Sequence, residues 1–124
     1  MTREFITLPS FDVKWKHLGL NEDDKSRLEQ ELLENPKIGP VMKGTGGVRK
    51  MRFAFQDRGK SGSARVIYVD FEVYEKIFLV DVYQKSDKDN LTKAERNAMK
   101  DVVELIELGL EMDQQQRREK REPI

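Results

Sequence analysis

Apolar and polar positions alternate with period two through residues 48–55. Met51, Phe53 and Phe55 fall on one side and Lys50, Arg52 and Ala54 on the other, which predicts a half-buried strand. A second strand is predicted over 64–71, apolar on both faces with Arg65 at its start, and a third over 76–83. In the third, Phe78, Val80 and Val82 alternate with Leu79, Asp81 and Tyr83, and Lys85 continues the latter face. Residues 58–62 and 72–75 supply the turns, so the three strands read as an antiparallel meander. Upstream, residues 3–8 read as a short strand that Pro9 stops. Ser10 is placed to cap a short helix through Phe11, Val13, Trp15 and Leu18, which Gly19 ends. Asn21, followed by Glu22, Asp23 and Asp24, opens an amphipathic helix over 21–34 carrying Leu28, Leu32 and Leu33, which Asn35-Pro36 terminates. Thr92 with Glu95 three residues on forms a capping box for a last helix with the stripe Ala98, Met99, Val102, Val103, Ile106 and Leu110.

The predicted order is β-α-α-β-β-β-α, an α+β chain whose last three strands form an antiparallel meander. Residues 1–110 form one domain. After Leu110 the composition changes, and residues 114–122 carry no apolar side chain, which makes 111–124 a polar C-terminal tail or a solvated helix extension. At 124 residues there is room for one small core. The absence of cysteine excludes a disulfide scaffold, a zinc finger and a thiol nucleophile, and fits a cytoplasmic protein. No apolar run approaches the ~18 residues of a membrane span, so no membrane partner is expected.

The formal net charge is zero, yet charge is unevenly placed. Between 41 and 65 the basic residues are Lys43, Arg49, Lys50, Arg52, Arg58, Lys60 and Arg65, opposed only by Asp57. Positive potential of that density attracts phosphates locally, because screening confines the compensating charge elsewhere to about 8 Å. If helices cover one face of the sheet, Lys50, Arg52, Tyr83 and Lys85 point into an open groove that Arg65 joins from the central strand. The plainer alternatives are solvated strand cations, an Arg65 ion pair with Asp70 or Asp81, and a half-buried Tyr83. His17 lies among apolar residues and reads as a packing residue. No serine elbow, HExxH motif or calcium-loop spacing is present. The loop Gly44-Thr45-Gly46-Gly47 lacks the Walker lysine, and Gly59-Lys60-Ser61 lacks the upstream glycine. Neither a cofactor nor a metal is expected.

Taken together, Asn35-Pro36, Gly39, Gly44-Thr45-Gly46-Gly47-Val48-Arg49-Lys50-Met51-Arg52, Gly59-Lys60-Ser61-Gly62, Arg65-Val66-Ile67-Tyr68 and Tyr83-Gln84-Lys85 resemble the HigB-type branch of the RelE/ParE toxin superfamily. The resemblance implies a ribosome-dependent mRNA endonuclease of a type II toxin–antitoxin system, with the RelE-like α+β fold of a curved antiparallel sheet packed against helices. Its partners would be a cognate helix-turn-helix, HigA-like antitoxin, the ribosome and mRNA. Carried over by position, Lys50, Arg65, Tyr83 and Lys85 are the implied catalytic set, and Lys43, Arg49, Arg52, Arg58 and Lys60 the implied RNA contacts. The chain departs from many RelE toxins in having no tyrosine after Tyr83 and no histidine in the motif. A gyrase poison of ParE type and a non-catalytic RNA- or protein-binding module remain as alternatives.

Ribonuclease chemistry needs no metal when the 2′-OH attacks the adjacent phosphate. In that scheme Arg65 stabilises the phosphorane, Lys50 takes the 2′ proton, and Lys85 protonates the leaving oxygen. Tyr83 stacks on a base or aids proton transfer.

Overall fold

The structure is a computed structural model and describes residues 2–56, 62–85 and 90–121. The elements are β1 (Glu4–Thr7), α1 (Pro9–His17), α2 (Glu22–Glu34), β2 (Arg49–Ala54), β3 (Ser63–Phe71), β4 (Lys76–Gln84) and α3 (Lys93–Arg121), with a 3₁₀ turn (Glu72–Tyr74) between β3 and β4. The predicted order and the α+β class hold.

Local chemistry sets the helix ends. Pro9 begins α1 itself, one residue before the expected cap Ser10, because its fixed φ suits the first helical position and its missing N–H is no loss there. Gly19, with φ +77°, turns the chain out of that helix. At α2 the Asn21 side chain accepts from Asp24 N at 2.9 Å and the Asp24 carboxylate accepts from Asn21 N at 2.9 Å. At α3 the Glu95 carboxylate accepts from Thr92 N and Thr92 Oγ1 accepts from Glu95 N. The helix then continues through the polar run beyond Leu110, and each residue from 111 to 120 is exposed.

The sheet has four strands in the order β1-β4-β3-β2. β2–β3 and β3–β4 pair antiparallel, as the meander requires. The expectation of a wholly antiparallel sheet needs correction: β1 lies parallel to β4, from Glu4↔Lys76 to Thr7↔Leu79, and the sheet is mixed. A parallel neighbour demands a long connection, and here α1, α2, β2 and β3 all intervene. The pairing is pinned by Arg3, whose Nε donates to Asp70 Oδ1 at 2.8 Å with both side chains buried.

Helices cover both faces of the sheet rather than one. Phe11 and Trp15 of α1 and Leu28 and Leu32 of α2 pack on Met51, Phe53, Val66 and Tyr68. Met99, Val103, Ile106 and Leu110 of α3 pack on the opposite face, against Ile67, Val69, Phe71 and Phe78. The reason is β3: a strand apolar on both faces must be covered on both. Ala98 and Val102, included in the expected stripe of α3, face solvent.

β4 departs from strict alternation. Ile67 pairs with Asp81 but Tyr68 pairs with Leu79, leaving Val80 as an extra residue in a bulge. Ile77, Leu79 and Val82 therefore face α1 and α2, while Phe78, Val80 and Tyr83 face α3. The expected grouping of Val82 with Phe78 and Val80, and of Tyr83 with Leu79, is corrected by that one residue.

Candidate active site

The bulge matters because it delivers Tyr83 to the face that carries the cations. Arg52 on β2 stands opposite Arg65 on β3, and Arg65 stands opposite Tyr83 on β4, a single row across three strands. Lys50 is opposite Ile67 on the same face. Lys50, Arg65, Lys85 and Asn90 line an open cleft of about 440 Å³. The structure thus brings Lys50, Arg52, Arg65, Tyr83 and Lys85 to one end of the α3-side face.

Asp70 is bound by Arg3, and Asp81 is bound by Lys14 at 2.8 Å while also accepting from Val82 N. Arg65 is therefore in no ion pair with either. Among the described residues, no salt bridge engages Lys50, Arg52, Arg65 or Lys85. Two of their donors converge instead on a hydroxyl: Arg52 Nε donates to Ser63 Oγ at 3.1 Å and Arg65 Nη1 donates to it at 2.8 Å. Sequence reasoning missed Ser63, since a lone serine opening a strand carries no pattern.

Tyr83 is buried, so little of its ring is open for stacking on a base. Its hydroxyl has no hydrogen-bond partner among the described residues. Burial pushes the phenol up from its usual value, with the charge of Arg65 pulling weakly the other way and Asp81 adding to the rise. The group is a neutral donor at ordinary pH.

Other candidates lie elsewhere. Arg49 leaves the cleft and donates to the carbonyls of Gly39 at 2.7 Å and Lys37 at 3.4 Å, tying the preceding loop to β2. Lys43 is exposed and lines a second depression of about 460 Å³ with Lys93 and Arg96 near the start of α3. Arg58 and Lys60 fall outside the described residues. His17 is exposed at the end of α1 and is not the packing residue expected, because the helix turns that position away from Phe11 and Trp15. The glycine loop is closed on itself: buried Thr45 donates to Met42 O at 2.7 Å and accepts from Val48 N at 3.1 Å. Among the described residues no cluster of three or more His, Asp or Glu could hold a metal ion, and no helix is long and apolar enough to cross a membrane.

A row of cations beside a cleft, none of them in a salt bridge among the described residues, presents guanidinium and ammonium donors suited to an anion. The model of the family described as "RelE toxin of RelE / RelB toxin-antitoxin system" matches residues 38–120, which include every strand of the meander and the whole cation row. The chain belongs to the RelE toxin family. It is accordingly a RelE-family toxin of a toxin–antitoxin system. Its fold is similar to that of the Escherichia coli toxin RelE, solved in the free state with two arginines replaced by alanine. The TM-score is 0.50 at 16% identity, over 72% of this chain and 90% of that one. At this identity the likeness speaks for the RelE fold.

Proposed function

We propose that this RelE-family toxin is a ribosome-dependent mRNA endoribonuclease that cleaves by attack of the substrate's own 2′-OH. The observation that carries the reading is the set Lys50, Arg65 and Lys85 around one cleft, with Arg52 beside it and none of the four in a salt bridge among the described residues. A nuclease of this kind must hold a phosphate whose charge rises in the transition state, and fixed guanidinium and ammonium groups supply that without a metal. Arg65 stabilises the phosphorane in bidentate fashion. Lys50 and Lys85, on opposite sides of Arg65 in the sheet, take the 2′ proton and return one to the 5′ oxygen. Tyr83, a neutral phenol beside Arg65, is a second proton donor. Arg52 holds phosphate, and Lys43 lies where a flanking phosphate would pass. The motif run from Gly44 to Arg52 and the Tyr83-Gln84-Lys85 end support placement in the HigB-type branch, with a HigA-like antitoxin as partner.

The test is translation-dependent cleavage mapping of a reporter mRNA with purified protein. Cleavage products ending in 2′,3′-cyclic phosphate are expected, and products ending in 3′-OH would overturn the 2′-OH route. Arg65→Ala is expected to keep the fold and lower the rate by about 10²–10³, the loss of roughly 3–4 kcal/mol of transition-state stabilisation. A folded Arg65→Ala protein that cuts at the wild-type rate would remove Arg65 from the mechanism.

A further inference from the structure

Arg52 and Arg65 sit directly opposite each other on neighbouring antiparallel strands. Like charges at such a pair repel and destabilise a sheet. The usual relief is a carboxylate between them, and among the described residues neither arginine has one. Both guanidinium groups instead reach back to the same oxygen, Ser63 Oγ, at 3.1 and 2.8 Å. Ser63 opens β3, two residues before Arg65 on the same face, and its cross-strand partner is Ala54, whose methyl group leaves room for both arginines to bend over it.

We propose that Ser63 is a positioning residue that joins Arg52 and Arg65 into one two-armed clamp for a single RNA phosphate. The inference rests on the endoribonuclease reading for its substrate and goes beyond it in assigning Ser63 and in giving both arginines one ligand. A hydroxyl oxygen has two lone pairs. Accepting from Arg52 Nε and Arg65 Nη1 uses both, so the proton of Ser63 is what it has left to offer. Each arginine gives one N–H to the serine and retains the rest of its planar fork for an anion. The serine thereby fixes the separation and tilt of two like-charged groups that would otherwise swing apart. An arriving phosphate meets guanidinium donors already aimed, together with a serine O–H, and it supplies the negative charge that no described residue gives the pair.

Two measurements on the purified full chain separate this clamp from the nuclease reading. First, the arginine Nε–H resonances of ¹⁵N-labelled protein are followed while inorganic phosphate is added. Arg52 and Arg65 are expected to shift together with one midpoint, and Ser63→Ala is expected to weaken that midpoint and uncouple the two. Separate midpoints in the wild type, or an unchanged response in Ser63→Ala, would overturn the clamp. Second, cleavage rates are compared in a mutant cycle. Ser63→Ala is expected to slow cleavage roughly tenfold to a hundredfold, the scale of a misplaced catalytic group, and to add little on top of Arg52→Ala. Ser63→Thr, which keeps the hydroxyl, is expected to restore most of the rate. Full additivity of Ser63→Ala with Arg52→Ala would overturn the clamp. Co-titration of both arginines in a wild-type protein that cuts no RNA would keep the clamp and reject the nuclease.

Discussion

Tyr68 shows how much one side chain can hold. Fully buried on β3, its hydroxyl donates to Pro36 O at 2.8 Å and accepts from Gly39 N at 3.0 Å, fastening the loop ahead of β2. Tyr68→Phe strands both backbone groups, and a loss of about 1–3 kcal/mol is expected from a lower urea midpoint at unchanged slope. Tyr83 is the contrast, because its hydroxyl has no partner among the described residues to strand. Tyr83→Phe is expected to leave the melting temperature within a degree or two while slowing mRNA cleavage. An undiminished rate would deny the phenol a part in proton transfer. Burial raises both phenols above their usual range. A raised folded-state value favours the neutral form in the native protein. Stability from this source is thus complete below about pH 10, the unfolded value, and declines as pH rises through the folded values. Denaturation curves from pH 8 to 11.5 should show that decline, reduced in Tyr83→Phe. Of the candidate site residues, the shared face of Lys50 and Arg52 was legible from strand alternation, while Arg65 was singled out by charge clustering, because a strand apolar on both faces gives no orientation. Ser63 was not, because its part depends on two side chains reaching it from different strands.

Helix ends were the most legible elements, since a cap is written within four residues. Asn21 and Thr92 act as expected from sequence alone, and Asn21→Ala is expected to lower stability by about 1 kcal/mol, measured by thermal melting. Strand direction and register were not legible, because they depend on partners far away in the chain. No local signal sets β1 parallel to β4, and the bulge at Val80 that turns Tyr83 toward α3 emerges only when β4 is laid against β3. Gly39 links loop to site. A Cβ there would stand 2.7 Å from the carbonyl oxygen of Lys50, and that oxygen is backbone, so it cannot rotate away. Gly39→Ala must displace β2, the strand that carries Lys50 and Arg52. A parallel loss of stability and cleavage is expected, whereas Val73→Ala, at an exposed turn, should change neither.

For the whole molecule, zero net charge conceals an uneven placement of charge, and among the described residues Asp70 and Asp81 are held by Arg3 and Lys14 rather than by the cation row. The Arg3–Asp70 pair is the most buried of these bridges, its side chains 5% and 3% exposed. Asp70→Ala leaves a buried guanidinium without its counter-charge, and a loss of about 3–5 kcal/mol is expected, with hydrogen exchange accelerating first in β1.

The parallel pairing of β1 has a consequence for synthesis. Its first partner, Lys76, is made 72 residues after Glu4. A growing chain therefore carries β1 without its only strand partner until β4 emerges, and contacts of such long span fold slowly. Lys85, the last cleft residue on that strand's path, appears immediately afterwards. The strand that completes the sheet also completes the cleft, so a nascent chain has no assembled cleft until residue 85 of 124, more than two-thirds of the protein, has been added.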